Sequence, residues 1–373
     1  MIIQAAIAPS KEAPFELRDV SLDTPRPNEI LVRIWGVGIC HTDLAVRDQH
    51  IPIQLPAVLG HEGAGVVEAV GSEVTKVAPG DRVVLTFRSC GVCKTCSAGH
   101  PSYCSDLGVL NGSGRRLDGS SAIHVDGVPL GCNFFGQSSF AQYALAYERN
   151  VVKVPANVAL HLMGPLGCGV QTGVGAVMRS MSCAAGSSIL ILGGGAVGLS
   201  AVLGAVIQEC ATIIVSEPVA ARRSLALELG ATHVLDPVGC DLTVATRAIV
   251  SAGVDYALDT TARPDVILAA IASLGPRGEI GLVGVSPTAD TALQLELRTL
   301  GARGITIRGI VEGDSDPDIF SPELLELHCT GRLPFEKIIT TYPIADINRA
   351  VDDHVSGRIV KAVLLTDASR PSF

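Results

Sequence analysis

A run of uncharged residues, ILILGGGAVGLSAVLGAVI at positions 189–207, places the strongest constraint on how this 373-residue chain can fold. Its length and hydropathy would also suit a membrane-spanning helix. Three consecutive glycines near its start interrupt regular structure, however, and favour a buried strand, a tight turn and a buried helix. We therefore expect no membrane span here.

The glycines of this run follow the pattern G-x-G-x-x-G at Gly193, Gly195 and Gly198. Between a strand and a helix, the first glycine allows the turn, the second admits a pyrophosphate, and the third permits close helix–strand packing. The next apolar run ends at Glu217, whose carboxylate can bind both ribose hydroxyls and repels a 2′-phosphate. The pattern predicts a dinucleotide site that prefers NAD to NADP, although the nearby Arg222 and Arg223 could soften that preference.

Apolar periodicity divides the chain into three parts. Residues 1–169 contain short β-rich runs separated by Gly/Pro turns, which indicates an irregular β-rich domain. Residues 170–311 alternate Val/Ile/Leu-rich runs with helical segments, which predicts a doubly wound parallel sheet covered on both faces. Residues 312–373 mix two helical segments with a final strand. The expected fold is α/β, with two domains and an aliphatic core.

Charge and cysteine content narrow the class of protein. A formal net charge of −9 disfavours nucleic acid as a partner, because phosphate binding needs a basic surface. The N-terminus lacks the basic and apolar regions of a secretory signal, so the eleven cysteines predict a reducing, cytoplasmic setting. In that setting clustered cysteines are more often metal ligands than disulfides.

Four cysteines fall within fifteen residues with the spacing C-x2-C-x2-C-x7-C: Cys90, Cys93, Cys96 and Cys104. Four thiolates satisfy the tetrahedral preference of zinc and leave no position for a substrate. A bacterial ferredoxin run has its fourth cysteine after three residues rather than seven, and a thioredoxin-like motif needs only two cysteines. The spacing therefore favours a closed, structural zinc site over an iron–sulfur or redox site.

A second set of possible ligands is dispersed along the chain. Cys40 lies in GVGICHTDLAV, His61 in LGHEGAGVV and Cys168 in MGPLGCGVQTGVG. Two cysteines and one histidine form the ligand set of a catalytic zinc with an open fourth position. Spacing alone supports this weakly, because a cysteine between glycines is usually a packed apolar residue. The other five cysteines show no ligand spacing and are expected to be buried thiols.

The ordered motifs GICHTD, GHEGAGVVEAVG, the cysteine-rich segment, GCGVQTGVGAV and LGGGAVGLS resemble those of zinc-dependent medium-chain alcohol dehydrogenases over essentially the whole chain. The segment VEGDSDP at 311–317 is similar to the bacterial aryl-alcohol branch, which acts on benzyl-type and allylic terpene alcohols such as geraniol. The resemblance implies a GroES-like catalytic domain (1–169 and 312–373), a Rossmann NAD-binding domain (170–311), and a homodimer or homotetramer.

The resemblance also implies residue roles and two zinc ions per chain. Cys40, His61 and Cys168 match the catalytic zinc ligands, and the four clustered cysteines match the structural site. Asp43 matches the carboxylate that orients the zinc histidine, and Glu62 a glutamate beside the metal. Thr42 matches the hydroxyl that takes the substrate proton. The residues expected to bind the cofactor are His41 and Lys361 at the pyrophosphate and Val283, Gly284 and Val285 at the nicotinamide amide. The rest of the dinucleotide is expected to contact Gly193, Gly195, Ala196, Val197, Gly198, Glu217 and Arg222.

The implied reaction is reversible oxidation of a primary alcohol to an aldehyde, with hydride transfer to NAD. The chain departs from many relatives at Ala45, where they have a histidine that ends the proton relay. A glutathione-dependent formaldehyde dehydrogenase and a polyol dehydrogenase are the nearest alternatives. A non-enzymatic zinc module and a zinc-free quinone reductase are more distant ones.

Overall fold

The computed structural model describes residues 1–286 and 291–366. The chain divides into two compact units. The first comprises residues 1–168, 316–331 and the C-terminal stretch from 336, and the second comprises residues 169–315 and 332–335. The sequence pattern predicts the corresponding boundaries at 169/170 and 311/312.

The strands of the described chain are short, and most have buried side chains. In chain order they are β1 (Ile2–Ala8), β2 (Glu16–Leu22), β3 (Ile30–Gly38), β4 (Ala57–Val58), β5 (Glu62–Val70), β6 (Arg82–Leu85), β7 (Ile123–Val125), β8 (Val128–Pro129), β9 (Tyr143–Ala146), β10 (Val151–Lys153), β11 (Ser188–Leu192), β12 (Thr212–Ser216), β13 (His233–Leu235), β14 (Val254–Asp259), β15 (Leu274–Leu282), β16 (Thr306–Gly309), β17 (Ile339–Pro343) and β18 (Lys361–Leu365).

Both units contain α-helices. In chain order they are α1 (His41–Arg47), α2 (Lys94–Ser97), α3 (Leu107–Gly112), α4 (Gly169–Gly175), α5 (Ala196–Ile207), α6 (Ala220–Glu228), α7 (Leu242–Ile249), α8 (Pro264–Ser273), α9 (Leu297–Arg303), α10 (Pro317–Cys329) and α11 (Ile347–Val355). None of the helices in the part of the chain that the structure describes is long and apolar enough to cross a membrane.

The second unit is built on a six-stranded sheet in the order β13-β12-β11-β14-β15-β16, and every neighbouring pair is parallel. All five side chains of β11 are buried, as both faces of such a sheet are covered. The predicted doubly wound parallel sheet is therefore confirmed. The strand order reverses between β11 and β14, which is where sheets of this kind bind ligands, beyond the carboxyl ends of the strands.

The uncharged run at 189–207 folds as the glycines predict. Its first residues lie in β11, its glycines form a turn, and its remainder forms α5, whose residues Gly198–Ala205 are buried. A strand, a turn and a helix satisfy the backbone hydrogen bonds within a packed core, so the apolar composition reflects burial in protein.

The first unit contains two mostly antiparallel sheets. One has the order β4-β1-β2-β7-β8, and the other has the order β10-β6-β5-β3-β18-β17 with β9 paired to β3. Their buried faces share an aliphatic core in which Phe140 packs edge-on against Phe15. Strand β3 is the centre of the larger sheet, since it pairs with β5, β9 and β18. Helix α1 begins just beyond the end of this strand.

Candidate active site

Two groups of metal-ligating side chains lie in the first unit. Cys40, His61, Glu62 and Cys168 form one, which we call the buried ligand cluster, and their donor atoms all lie within 4.8 Å of one another. The four cysteines of residues 90–104, which we call the cysteine lobe, form the other with the same spread. Side chains as far apart in sequence as those of Cys40 and Cys168 are thus brought together, as the resemblance implies.

Strand pairing places the members of the buried ligand cluster. Cys40 caps the N-terminus of α1, directly after β3, and Glu62 opens β5, where it lies opposite Gly38 of β3. A Cβ atom on Gly38 would stand 1.9 Å from Oε2 of Glu62. The carboxyl group therefore fits only because this position of β3 carries no side chain.

The carboxylate of Asp43 organises the cluster. Its Oδ2 accepts a hydrogen bond from the amide of Cys40 (2.9 Å). Its Oδ1 accepts from the amide of Gly60 (3.0 Å) and faces Nδ1 of His61 at 2.9 Å. A hydrogen bond to Nδ1 fixes the tautomer of the imidazole and makes Nε2 the free ligand atom.

Nε2 of His61 is buried and has no hydrogen-bond partner among the described residues. Burial alone would lower the pKa of His61, but the charge and hydrogen bond of Asp43 outweigh it and raise that pKa. The hydrogen bond from Cys168, opposed by burial, holds the pKa of Cys40 well below its usual range. An unsatisfied imidazole nitrogen beside two sulfur atoms is the donor set that zinc takes in proteins, so these residues fit a zinc ion.

The ring of His61 is also held by a segment that sequence reasoning missed. It stacks on Phe135 with 4.4 Å between ring centroids and meets the edge of Phe134 at 5.4 Å. Nε2 of Gln137 donates to the carbonyl oxygen of His61 (2.8 Å). Phe135 has the left-handed φ of 51°, which costs energy for a bulky residue and sets the direction of its ring. The left-handed conformation of Phe135 is the local feature that could have indicated this role, but the sequence FFGQSS does not predict that conformation.

Lys361 does not lie where its predicted cofactor role requires. The prediction was a cation for the cofactor pyrophosphate, but the side chain is buried (1% exposed). Its ammonium donates to Oε1 of Glu62 (2.7 Å) and to the carbonyl oxygen of Ile39 (3.0 Å). Burial lowers the pKa of a lysine, yet Glu62 outweighs burial and raises that of Lys361. We therefore reassign Lys361 from the cofactor to the buried ligand cluster.

Helix α1 carries the other predicted residues of this region. The hydroxyl of Thr42 lies 3.7 Å from Sγ of Cys40, and Thr42 is partly exposed. His41 is exposed at the start of the helix. Ala45 is buried (3% exposed), so the position that holds a relay histidine in many relatives contributes no titratable group.

The cysteine lobe is held by contacts to sulfur. The amides of Cys90 and Asp106 donate to Sγ of Cys104 (3.2 and 3.4 Å), and the amide of Cys93 donates to Sγ of Cys90 (3.3 Å). Cys90 and Cys96 have sulfur atoms 4.0 Å apart, twice the length of a disulfide bond. The hydroxyl of Thr95 lowers the pKa of Cys93 to about 4. The lobe thus presents four free cysteines on a common centre, which fits a closed metal site.

Of the five remaining cysteines, the structure buries three and exposes two. Cys132, Cys183 and Cys210 are buried, as expected, but Cys240 and Cys329 are exposed. The expectation that all five are buried was wrong, because Cys240 lies in a turn before α7 and Cys329 ends the amphipathic α10.

The glycine-rich turn of the second unit has the geometry that a dinucleotide needs. Gly193 has a φ of +97°, and a Cβ atom on Gly198 would stand 1.9 Å from the carbonyl oxygen of Gly193. Nothing lies within 4 Å of a Cβ atom on Gly195, the N-cap of α5. Free space beside the first amides of a helix is where a pyrophosphate binds, and the partly exposed Ala196 and Val197 supply those amides. The residues therefore fit this cofactor group.

Glu217 is buried beside this turn (3% exposed). Its Oε2 accepts from the amide of Gly194 (2.6 Å) and its Oε1 from that of Val219 (2.8 Å). These bonds hold the carboxylate at the end of β12. Arg222 is half-buried on α6, whereas its neighbour Arg223 donates to the carbonyl oxygens of Glu217 and Pro218, each at 2.8 Å. Sequence reasoning did not identify these contacts of Arg223.

Residues 283–285 follow β15. The amides of Val283 and Gly284 donate to the carbonyl oxygen of Asp259 at the end of β14 (2.9 and 3.2 Å), and Val285 is exposed. A Cβ atom on Gly284 would stand 2.4 Å from the amide of Ala262, so this position requires glycine. The predicted segment therefore lies at the carboxyl edge of the sheet, as Gly193 does.

Family models match both halves of the chain: the alcohol dehydrogenase GroES-like domain over residues 26–156, and the zinc-binding dehydrogenase domain over residues 196–327. A geraniol dehydrogenase from Castellaniella defragrans is 47% identical over 364 residues, which are 97% of each chain. The chain belongs to the zinc-binding medium-chain alcohol dehydrogenase family. It is thus an oxidoreductase, and the resemblance of the motifs is confirmed.

Solved structures of this alcohol dehydrogenase family share the fold throughout. An alcohol dehydrogenase zinc-binding domain protein from Burkholderia ambifaria is 49% identical, with a TM-score of 0.96 over 98% of this chain and 99% of that one. Benzyl alcohol dehydrogenase from Acinetobacter calcoaceticus is 41% identical, with a TM-score of 0.95 over 98% of this chain and 100% of that one. The predicted GroES-like and Rossmann fold class is therefore confirmed.

Replacing Asp43 by asparagine should weaken metal binding without unfolding the protein. An amide has one acceptor oxygen for three donors, so at least one of the bonds that orient Cys40 and His61 is lost. Loss of such a supporting group typically costs about 10- to 100-fold in metal affinity. Zinc affinity measured by competition with a chelator tests this, with Asp48→Asn at the C-terminal end of α1 as the matched control. Wild-type affinity in Asp43→Asn would contradict the role of Asp43.

Proposed function

We propose that this chain oxidises primary aryl or allylic alcohols reversibly to aldehydes, with NAD as the hydride acceptor and two zinc ions per chain. We assign the catalytic role to the GroES-like domain (1–169 and 312–373) and NAD binding to the Rossmann domain (170–311). We also propose that it acts in the cytoplasm as a homodimer or homotetramer. The observation that carries the proposal is the unpartnered, buried Nε2 of His61 among Cys40, Cys168 and Glu62.

We assign a catalytic zinc to Cys40, His61 and Cys168. Zinc on these ligands supplies Lewis acidity, which makes a neighbouring alcohol hydroxyl easier to deprotonate near neutral pH. Asp43 keeps the imidazole in the ligating tautomer. Lys361 holds the fourth donor, the carboxylate of Glu62, in a buried ion pair and offsets part of the negative charge of the cluster. The four cysteines of the lobe would hold the second zinc.

Thr42 is our candidate for the first proton acceptor. Its hydroxyl is the partly exposed oxygen next to Cys40, and a hydroxyl can accept one hydrogen bond while it donates another. It can therefore receive the substrate proton only by passing its own proton on. Ala45 cannot take it, so Thr42 would have to pass its proton to an acceptor outside α1, a role that water or the hydroxyls of a bound cofactor would supply.

We assign NAD rather than NADP on the basis of Glu217. The carboxylate is buried and both of its oxygens are held by backbone amides at the end of β12. A fixed negative charge there can still accept hydrogen bonds from ribose hydroxyls, but it opposes a 2′-phosphate. Arg223 on α6 binds the carbonyl oxygens of Glu217 and Pro218 and pairs with Asp236. The nicotinamide then supplies the acceptor for the hydride.

The substrate class follows from the relatives. A geraniol dehydrogenase and a benzyl alcohol dehydrogenase match this chain over almost their full lengths, at 47% and 41% identity. An S-(hydroxymethyl)glutathione dehydrogenase from Aspergillus oryzae matches at 32% identity. The larger identities favour alcohols with an allylic or aromatic group beside the carbinol carbon. The glutathione adduct remains the alternative.

An alcohol screen tests the proposed function. We expect NADH formation to be fastest with benzyl alcohol and geraniol, slower with butanol and sorbitol, and absent with formaldehyde plus glutathione. Each substrate is run with NAD and with NADP, and kcat/KM should favour NAD. The highest kcat/KM with the glutathione adduct or with sorbitol would refute the substrate class, and a preference for NADP would refute the role of Glu217.

Cys168→Ser separates the two proposed zinc sites. The variant should lose about one zinc per chain and keep its fold, because Cys168 belongs to the buried ligand cluster. Lewis acidity is worth several kcal/mol, so turnover should fall about 10³-fold. Cys96→Ser should also lose one zinc but should mainly lower the thermal unfolding midpoint. Zinc analysis, calorimetry and NADH assays on both variants test this, and a fully active Cys168→Ser protein would rule out the assignment.

Substitutions of Thr42 test its role in proton transfer. Thr42→Val keeps the shape but removes the hydroxyl, and loss of a group that transfers a proton costs about 10²- to 10⁴-fold. Thr42→Ser retains the hydroxyl and should remain within about tenfold of wild type. Equal values of kcat for the two variants would show that the hydroxyl does not take part.

A further inference from the structure

A cavity of 520 Å³ lies beside the cysteine lobe in the first unit, and no residue of the buried ligand cluster lines it. Its deep side is formed by the buried residues Arg88, Ser89, Leu110 and Tyr147. Its outer side includes the exposed side chains of Val109 and Leu117, whose exposed fractions are 56% and 65%. Its volume is in the range of small-molecule sites, which are mostly apolar with a few polar groups.

The guanidinium group of Arg88 is the unusual feature of this cavity. Arg88 is 8% exposed, and its Nη1 is buried without a hydrogen-bond partner among the described residues. The group lies over the ring of Tyr147, 3.5 Å from the centroid. Stacking attracts the positive charge but uses none of the five N–H donors. Burying a cation with an unpaired donor is costly, because no hydrogen bond replaces the water that this donor has lost.

Arg116, which is also buried in this unit, shows how a paired guanidinium group is bound here. Arg116 is 4% exposed, and it donates to both carboxylate oxygens of Glu29 (2.7 and 2.8 Å) and to Asp23 (2.6 Å). Arg88 forms no such ion pair among the described residues, and the carboxylate of Glu29, which Arg116 binds, acts on it through its charge. Ion pairs within the unit therefore explain how Arg116 can be buried, but they do not explain the burial of Arg88.

A second cation, Arg149, lines the same cavity. Its Nη2 donates to the hydroxyl of Ser89 (3.1 Å), and its Nε is buried without a hydrogen-bond partner among the described residues. Its Nη1 is 3.7 Å from the carboxylate of Asp318, an ion pair with loose geometry. Two guanidinium groups, each with one unpaired N–H donor, thus line the same cavity.

Three acids also line the cavity, and their positions limit the ligand. Glu73 and Asp106 are exposed, and Oε1 of Glu148 accepts from the amides of Thr75 and Lys76. None of the three neutralises Arg88 at the deep side. Their charge opposes a highly charged anion such as a nucleotide, whereas one negative charge with a hydrocarbon body suits both the cations and the apolar lining.

We propose that this cavity binds a small monocarboxylate with an apolar body. The carboxylate would pair with the guanidinium of Arg88, which offers two parallel N–H donors, and the hydrocarbon part would pack against Leu110, Leu117 and the ring of Tyr147. The site is built only from residues of the first unit and does not depend on the proposed alcohol oxidation.

Isothermal titration of the zinc-loaded protein with benzoate, and with benzamide as its uncharged analogue, tests the proposal. Benzoate should bind to wild type, and benzamide should bind at least about tenfold more weakly. Arg88→Gln should weaken benzoate binding by about 10- to 100-fold, since a charge-assisted pair is lost. Leu117→Glu, at the exposed side, should weaken it severalfold by repulsion. Leu227→Glu, an exposed leucine on α6, is the matched control and should bind as wild type does.

Cys168→Ser separates this site from benzoate bound at the buried ligand cluster, and it should leave the titration unchanged. Abolished binding in Cys168→Ser, unaltered binding in Arg88→Gln, equal affinity for benzamide, or no binding to wild type would each overturn the proposal. If Arg88→Gln does not fold, Leu117→Glu against Leu227→Glu decides: equal affinities overturn the proposal, and weaker binding by Leu117→Glu alone supports it.

Discussion

The arrangement of the metal-ligating residues in the first unit depends on the contacts of one buried carboxylate, that of Asp43. It joins the start of α1 to the turn before β5, because its oxygens face the amides of Cys40 and Gly60 and the ring of His61. A buried carboxylate is tolerated when several donors surround it. The same contacts fix the positions of the ligands Cys40 and His61. The hydrogen bonds that make burial of the Asp43 carboxylate tolerable therefore also determine the geometry of the cluster.

Much of the fold and the outline of the site could be predicted from sequence because the relevant chemistry is local. The turn at Gly193 and Gly198 is dictated by backbone sterics within six residues, and the parallel sheet follows from alternating apolar runs. The dispersed ligands Cys40, His61 and Cys168 could not be joined by spacing, and only the ordered resemblance to a family connected them.

The contacts that sequence could not show are those between distant segments. Lys361 pairs with Glu62 across 299 positions, and Gln137 reaches the carbonyl oxygen of His61 across 76. Neither pair has a local pattern, and a lysine near the C-terminus looks like a solvated charge until β18 is placed beside β3. The misplacement of Lys361 therefore came from not knowing strand order, not from misjudging its chemistry.

The cysteine lobe shows what happens when a segment has no apolar interior. Helix α2 within it has no buried residue, and the amides of Cys90 and Cys93, which precede the helix, donate to sulfur. Under the proposal that the sulfurs hold zinc, the metal takes the place that a hydrophobic core has elsewhere in the molecule. The lowered pKa of Cys93 keeps its sulfur as a thiolate, and the thiolate is the form that oxidants attack. Oxidative stress or metal starvation would thus disorganise this lobe while the aliphatic cores of both units stay intact, so its integrity would report the redox and metal status of its surroundings.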